Sequence, residues 1–160
     1  ASWIVWGVID TIILAGMHTK GCVNGQILGA VVGVWTVVIL TLRFGKPGWT
    51  TRDKCCIGIG IAGLVLWKVF SNPELGILFG LGGTLAAAYP TYMGAWKEPS
   101  HEDKLAWTIF SIACMCALIA VPDWTLARAG LPIVFFVIDI PVTFIIYFRP
   151  HYLPRKNAAA

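Results

Sequence analysis

The stretch Tyr89–Trp107, YPTYMGAWKEPSHEDKLAW, decides how the rest of the chain is read. It holds a proline near the end of one apolar helix, a short charged turn, and a Trp that opens a second apolar helix. In hydrocarbon every backbone amide must be satisfied within its own segment, so charges confined to a turn between two apolar runs point to consecutive membrane helices. The texture returns at the start of the chain. There Ala1-Ser2-Trp3-Ile4-Val5-Trp6 echoes Leu105-Ala106-Trp107-Thr108-Ile109-Phe110, which suggests two related halves.

Working outward, the whole chain of 160 residues is 58% hydrophobic and only 12% charged, with a mean hydropathy of +0.76. Ordinary soluble domains carry roughly 25% charged residues, scattered rather than gathered into turns. Apolar segments occupy about residues 2–17, 25–43, 55–70, 74–95, 104–121 and 125–148. Each approaches the roughly twenty residues a spanning helix needs, and the alternating pattern of a transmembrane barrel is absent. Short connections make neighbouring helices antiparallel. The expected fold class is therefore all-α, a polytopic transmembrane helix bundle with six visible spans.

The basic residues report topology. Arg43, Lys46, Arg52, Lys54, Lys97, Lys104, Arg149, Arg155 and Lys156 fall on one side of such a bundle, against Lys20, Arg128 and a snorkelling Lys68 on the other. By the positive-inside rule the first side, with the C-terminus, is cytoplasmic, as for a multi-pass protein of the cell inner or plasma membrane. The formal charge of +4 thus belongs to loop ends and gives no reason to expect a nucleic-acid partner. Trp3, Trp49, Trp67, Trp96, Trp107 and Trp124 lie near span ends, where indole rings sit at the headgroup level, whereas Trp35 lies inside its span. Gly25, Gly29 and Gly33 form one ridge of small residues, and Gly76 and Gly80 another. Such ridges let helix backbones approach. Their spacing leaves open whether the neighbour is another helix of this chain or another subunit. The five cysteines show no metal-site or disulfide spacing.

Aligning Trp3 with Trp107 pairs Gly7 with Ser111, Leu14 with Leu118 and Gly16 with Ala120, which makes the first two segments counterparts of the last two. The segment before Leu105 then lacks a partner, and one more helix before Ala1 would complete a 3+1+3 triple-helix repeat. The expected divisions are 1–43 as the remainder of a first triplet, 44–73 as a linker helix, 74–150 as a second triplet and 151–160 as a tail. Tyr89-Pro90-Thr91-Tyr92 through Lys97-Glu98-Pro99-Ser100 to Trp107 resembles the PQ-loop pattern of the SWEET and semiSWEET sugar facilitators, and the triplet architecture also resembles the PnuC-type vitamin transporters. Thr91 stands where the pattern has glutamine. The resemblance implies transport by rocking two triplets.

Two carboxylates fall in mid-span, Asp10 and Asp139. A charge at the bilayer centre costs at least about 2.5–3.5 kcal/mol, which makes each a candidate for function; the competing use is a hydrogen bond that holds helices together. Helical spacing places Trp3, Trp6, Gly7 and Asp10 on one face, Asp139, Thr143 and Tyr147 on another, and Trp107, Phe110, Ser111 and Cys114 on a third. The expected substrate-binding residues are Asp10, Asp139, Trp6, Trp35, Ser111 and Thr143, lining a cavity, with Pro90 and Pro141 as hinges because proline frees a carbonyl and favours a kink. His18, His101 and His151 are dispersed, so no metal is expected. No nucleophile elbow, phosphate loop or HExxH motif occurs, and neither a cofactor nor an enzymatic activity is expected. The function expected is a transporter or facilitator of a small polar, sugar- or vitamin-like solute by alternating access. The alternative is a structural or accessory subunit of a larger membrane complex. The partners that follow are the lipid bilayer, the solute, and further copies or complex subunits.

Overall fold

The computed structural model describes residues 2–44, 48 and 51–151. Lys46, Trp49, Arg155, Lys156 and tail positions 152–160, used above for topology and domain division, lie outside the described residues. The described chain is all-helical: α1 (Ser2–Thr19), α2 (Gly25–Phe44), α3 (Thr51–Phe70), α4 (Pro73–Lys97), α5 (Lys104–Ile119) and α6 (Leu126–Phe148), with 3-10 turns at Pro99–His101 and Arg149–His151. Each apolar segment of the sequence has become one helix.

Local chemistry sets the ends. Asn24 Oδ1 accepts from Ile27 N at 3.0 Å at the start of α2. Asn72 Oδ1 does the same for Glu74 N ahead of Pro73 at the start of α4, and Asp103 Oδ1 accepts from Ala106 N at 2.7 Å in α5. These side chains satisfy donors that have no partner within the helix. α1 closes with Cys22 N bonded to Met17 O and Gly21 at φ 63°. α3 closes the same way, Asn72 N on Trp67 O, but with Ser71 at φ 51° in the left-handed position, where glycine would carry no Cβ penalty.

α4 is the central helix. It packs on α1, α3 and α6, while α2 packs on α1 and α5 on α6. Small residues make this possible. A Cβ on Gly80 would lie 2.5 Å from Ile13 Cγ1, one on Gly76 2.9 Å from Trp67 Cε3, and one on Gly130 2.6 Å from Leu81 Cδ1. Gly63 meets Phe79 in the same way. Val5, Ile9, Ile13, Met17, Ile77 and Leu81 are buried in the resulting core. α2 and α5 scarcely meet.

Among the described residues two helices, Gly25–Phe44 and Leu126–Phe148, are long and apolar enough to cross a membrane. Trp3–Thr19 and Lys104–Ile119 are apolar but shorter. α3 carries Arg52, Asp53, Lys54 and Lys68, and α4, although 25 residues long, is diluted by glycine and alanine.

Candidate functional site

A cavity of about 720 Å³ lies where α2 and α5 part. α1 contributes Trp3, Trp6 and Asp10, at spacings that form one helical stripe. α2 contributes a stripe running from Gln26 through Gly29 and Gly33 to Val37. Counting from Gly25 to Val37 at the helical rise, the cavity follows about 18 Å of that helix axis. Ala87, Pro90 and Thr91 of α4 close one wall, and Phe110 and Cys114 of α5 with Phe135 and Asp139 of α6 close the other. Trp6 and Phe135 stand 6.3 Å apart, centroid to centroid, at a tilt of 51°.

The glycine ridge of α2 acquires a use that its spacing did not disclose. A Cβ at Gly25, Gly29 or Gly33 would have nothing within 4 Å. The ridge is cavity wall, and the backbone contact expected of it is made instead by the glycines of α4.

Asp10 and Asp139 both line the cavity but are held differently. Asp10 is 2% exposed, and its Oδ1 has no hydrogen-bond partner. Asp139 is 5% exposed and its Oδ2 accepts from Cys114 Sγ at 2.9 Å. Gln26 Nε2 donates in turn to Cys114 Sγ at 3.7 Å, while Gln26 Oε1 is buried and unpartnered. Gln26 was not among the residues expected from sequence. Its signal was available: it shares the helical stripe of Gly29 and Gly33 and is the polar member of it.

Ser111 and Thr143 lie between α5 and α6 rather than at the cavity wall. Their hydroxyls are 2.8 Å apart, Thr143 Oγ1 donates to Trp107 O at 3.0 Å, and Ser111 Oγ is 3.3 Å from Asp139 O. Thr108 and Tyr147 hydroxyls meet at 3.1 Å further along. Steps of three residues on α5 and four on the antiparallel α6 thus build three polar rungs, Thr108 with Tyr147, Ser111 with Thr143 and Cys114 with Asp139. Trp35 is placed on another face of the α1–α2 pair. Its Nε1 donates to Thr11 Oγ1 at 3.1 Å, and its ring fills the notch left by Gly7, where a Cβ would come within 3.2 Å of Cε2.

Pro90 lines the cavity. Pro141 does not, but its missing amide leaves Val137 O without a helical donor. Tyr92 on α4 supplies one, its hydroxyl donating to Val137 O at 2.6 Å. The second tyrosine of the YPTY string is therefore fixed to the proline break of α6.

A second cavity, about 480 Å³, sits at the end of the bundle formed by the α1–α2 and α5–α6 turns and shares Gly25 and Gln26 with the first. Arg128 lines it and is paired with Asp123 at 2.9 Å. Lys20 at the same end is paired with Glu74 at 2.9 Å. Cys22, also in this cavity, points its thiol at Met17 O and Ala127 O, 3.4 and 3.6 Å away. Burial pushes that thiol above its ordinary value, against the lowering influence of Arg128 and Lys20. It is a packed turn residue rather than a thiolate nucleophile.

At the opposite end Arg149 stacks over Trp96, 4.1 Å from the ring centroid, and Trp107 Nε1 donates to Glu102 Oε2 at 2.9 Å. Among the described residues no group of three or more His, Cys, Asp or Glu is placed to hold a metal ion. No protein-family model matches the chain, and no curated protein or solved structure is significantly similar to it. The likeness of Tyr89–Trp107 to a PQ-loop rests on those residues alone.

Proposed function

We propose that the protein is an integral membrane transporter or facilitator that moves a small polar, sugar- or vitamin-like solute by alternating access, with all six helices spanning the bilayer and the C-terminus in the cytoplasm. The observation that carries this reading is the cavity between α2 and α5, lined by both mid-helix carboxylates, Asp10 and Asp139. Carboxylates inside apolar helices face a bundle interior or a solute path because lipid does not solvate them. The outward faces of α2 and α5 support the spans: Val32, Ile39, Leu42, Ile109, Ile112 and Ile119 are exposed apolar side chains suited to lipid. α2 and α5, joined to the bundle chiefly through α1 and α6, are the elements free to change their separation. The Tyr92 bond to Val137 O couples such a change to α4.

The test is uptake of a panel of small sugars and vitamins into proteoliposomes. Asp10→Asn and Asp139→Asn are each expected to lower the initial rate at least tenfold while helicity by circular dichroism is retained. Unchanged uptake in both variants sinks the site. The reading as an accessory subunit of a larger membrane complex is supported by the same exposed faces of α2 and α5. It predicts an unresponsive panel and a partner chain that copurifies in fixed ratio.

A further inference from the structure

The cavity is unbalanced in both charge and hydrogen bonding. Among the described residues two acids line it, Asp10 and Asp139, and no Lys, Arg or His does. A carboxylate taken out of water either binds a proton or needs a counter-charge close by. At the bundle end formed by the α1–α2 and α5–α6 turns, Arg128 is paired with Asp123 and Lys20 with Glu74. Donors do line the cavity, the indole N–H groups of Trp3 and Trp6 and the Thr91 hydroxyl, but none bonds Asp10 Oδ1 or Gln26 Oε1. The Cys114 thiol is used by Asp139 and the Gln26 amide nitrogen by Cys114. Two acceptors remain, Asp10 Oδ1 and Gln26 Oε1, both buried and unpartnered; Asp10 is only 2% exposed. Buried acceptors without donors are rare in folded proteins and point to a missing partner.

The rest of the wall is apolar and aromatic. Trp3, Trp6, Phe110 and Phe135 face the same space, and aromatic rings favour both a flat apolar body and a cation lying over the ring face. A volume of about 720 Å³ is within the usual range for one small organic ligand.

We infer that the solute is a protonated primary amine carried on an apolar or aromatic body, its ammonium group seated between Asp10 and Asp139 and donating to the unpartnered oxygens of Asp10 and Gln26. The inference rests on the reading of the cavity as a solute site and narrows it to a chemical class. An ammonium group matches the two deficits together, since it brings positive charge and three donors with no acceptor. A neutral hydroxyl compound meets only the donor deficit, and a carboxylate adds to both.

Equilibrium binding to the purified protein in detergent tests this with phenethylammonium, 2-phenylethanol and 3-phenylpropionate, which share one body and differ in the head group. Wild-type protein is expected to bind phenethylammonium saturably by calorimetry, and the alcohol and the acid at least tenfold more weakly. Asp10→Asn and Asp139→Asn should each weaken phenethylammonium at least tenfold. The ligand series on the wild-type protein stands by itself if either variant fails to fold. Equal or tighter binding of the alcohol or the acid, or no saturable binding of the amine, overturns the inference. Proteoliposome flux separates it from the transport reading: amine binding without uptake of any solute overturns transport alone. Uptake of a neutral sugar by a protein that does not bind the amine overturns the amine alone.

Discussion

The glycines of α4 and those of α2 have the same spacing and opposite fates. On α4, Gly76 and Gly80 are occupied by Trp67 and Ile13, and Gly83 approaches Ile9, where a Cβ would come within 3.0 Å. On α2, Gly25, Gly29 and Gly33 face open space. A small-residue ridge permits close approach, but a contact forms only where the facing helix presents a side chain of matching size. α1 and α3 present Ile and Trp to α4. α5, which stands across from α2, is held on α6 and leaves a gap. The dry side of the molecule is therefore where substitution should cost stability, and the open side is where it should cost binding.

The largest expected effect breaks the dry side. Gly80→Ala places a methyl group 2.5 Å from Ile13 Cγ1, and Ile13 is fully buried, so the branched side chain has nowhere to move. Overpacking of this kind costs about 1–3 kcal/mol, to be read as a lower unfolding midpoint on titration from mild detergent into dodecyl sulfate. A midpoint equal to wild type would mean that α1 and α4 are not in the contact that defines the closed side.

The next effect tests the join between the two sides. Tyr92→Phe removes the donor to Val137 O, which Pro141 has left without its helical partner. Losing one partner of such a bond costs about 1–2 kcal/mol. In a Pro141→Ala background the restored amide at position 141 takes the same carbonyl, so Tyr92→Phe should then cost close to nothing. The difference between the two backgrounds is the coupling, measured by a double-mutant cycle. Equal costs in both would mean that Tyr92 acts through packing alone.

What was legible in the sequence follows the same division. Helix existence was legible, because it depends on local chemistry: each apolar run of the sequence is one helix, and the Asn72 and Asp103 side chains that cap α4 and α5 act within a few residues of where they stand. The faces of α5 and α6 were legible too. Ser111 and Cys114 on one helix and Asp139, Thr143 and Tyr147 on the other follow helical periodicity, and antiparallel packing turned them into rungs. The direction of a glycine ridge was not legible, since glycine spacing records what a helix permits and nothing of what its neighbour supplies. Trp35 shows the same limit. Its mid-helix position suggested a cavity wall, but the notch at Gly7 and the hydroxyl of Thr11, both on another helix, fix it elsewhere. Likewise Pro141 announced a freed carbonyl, while the identity of the donor depended on where α4 runs.

The smallest expected stability effect is on the open side, and it is the most discriminating. Gly29→Ala adds a methyl group with nothing within 4 Å, so no overpacking opposes it. Replacing glycine by alanine within a helix favours the helix by up to about 1 kcal/mol. The variant should therefore unfold at or slightly above the wild-type midpoint, opposite in sign to Gly80→Ala. Gly29→Leu extends the test, because its side chain projects into the space where a solute would lie. Stability should stay within about 1 kcal/mol of wild type, the helix preference of leucine over glycine and the added apolar contact both being favourable, while phenethylammonium binding falls at least tenfold. If Gly29→Leu instead destabilises as Gly80→Ala does, α2 closes against α5 in solution and the gap between them is one state of a moving pair. If it neither destabilises nor weakens binding, the solute does not use the α2 wall, and Asp10 and Asp139 must be approached from the α4 side, past Pro90 and Thr91.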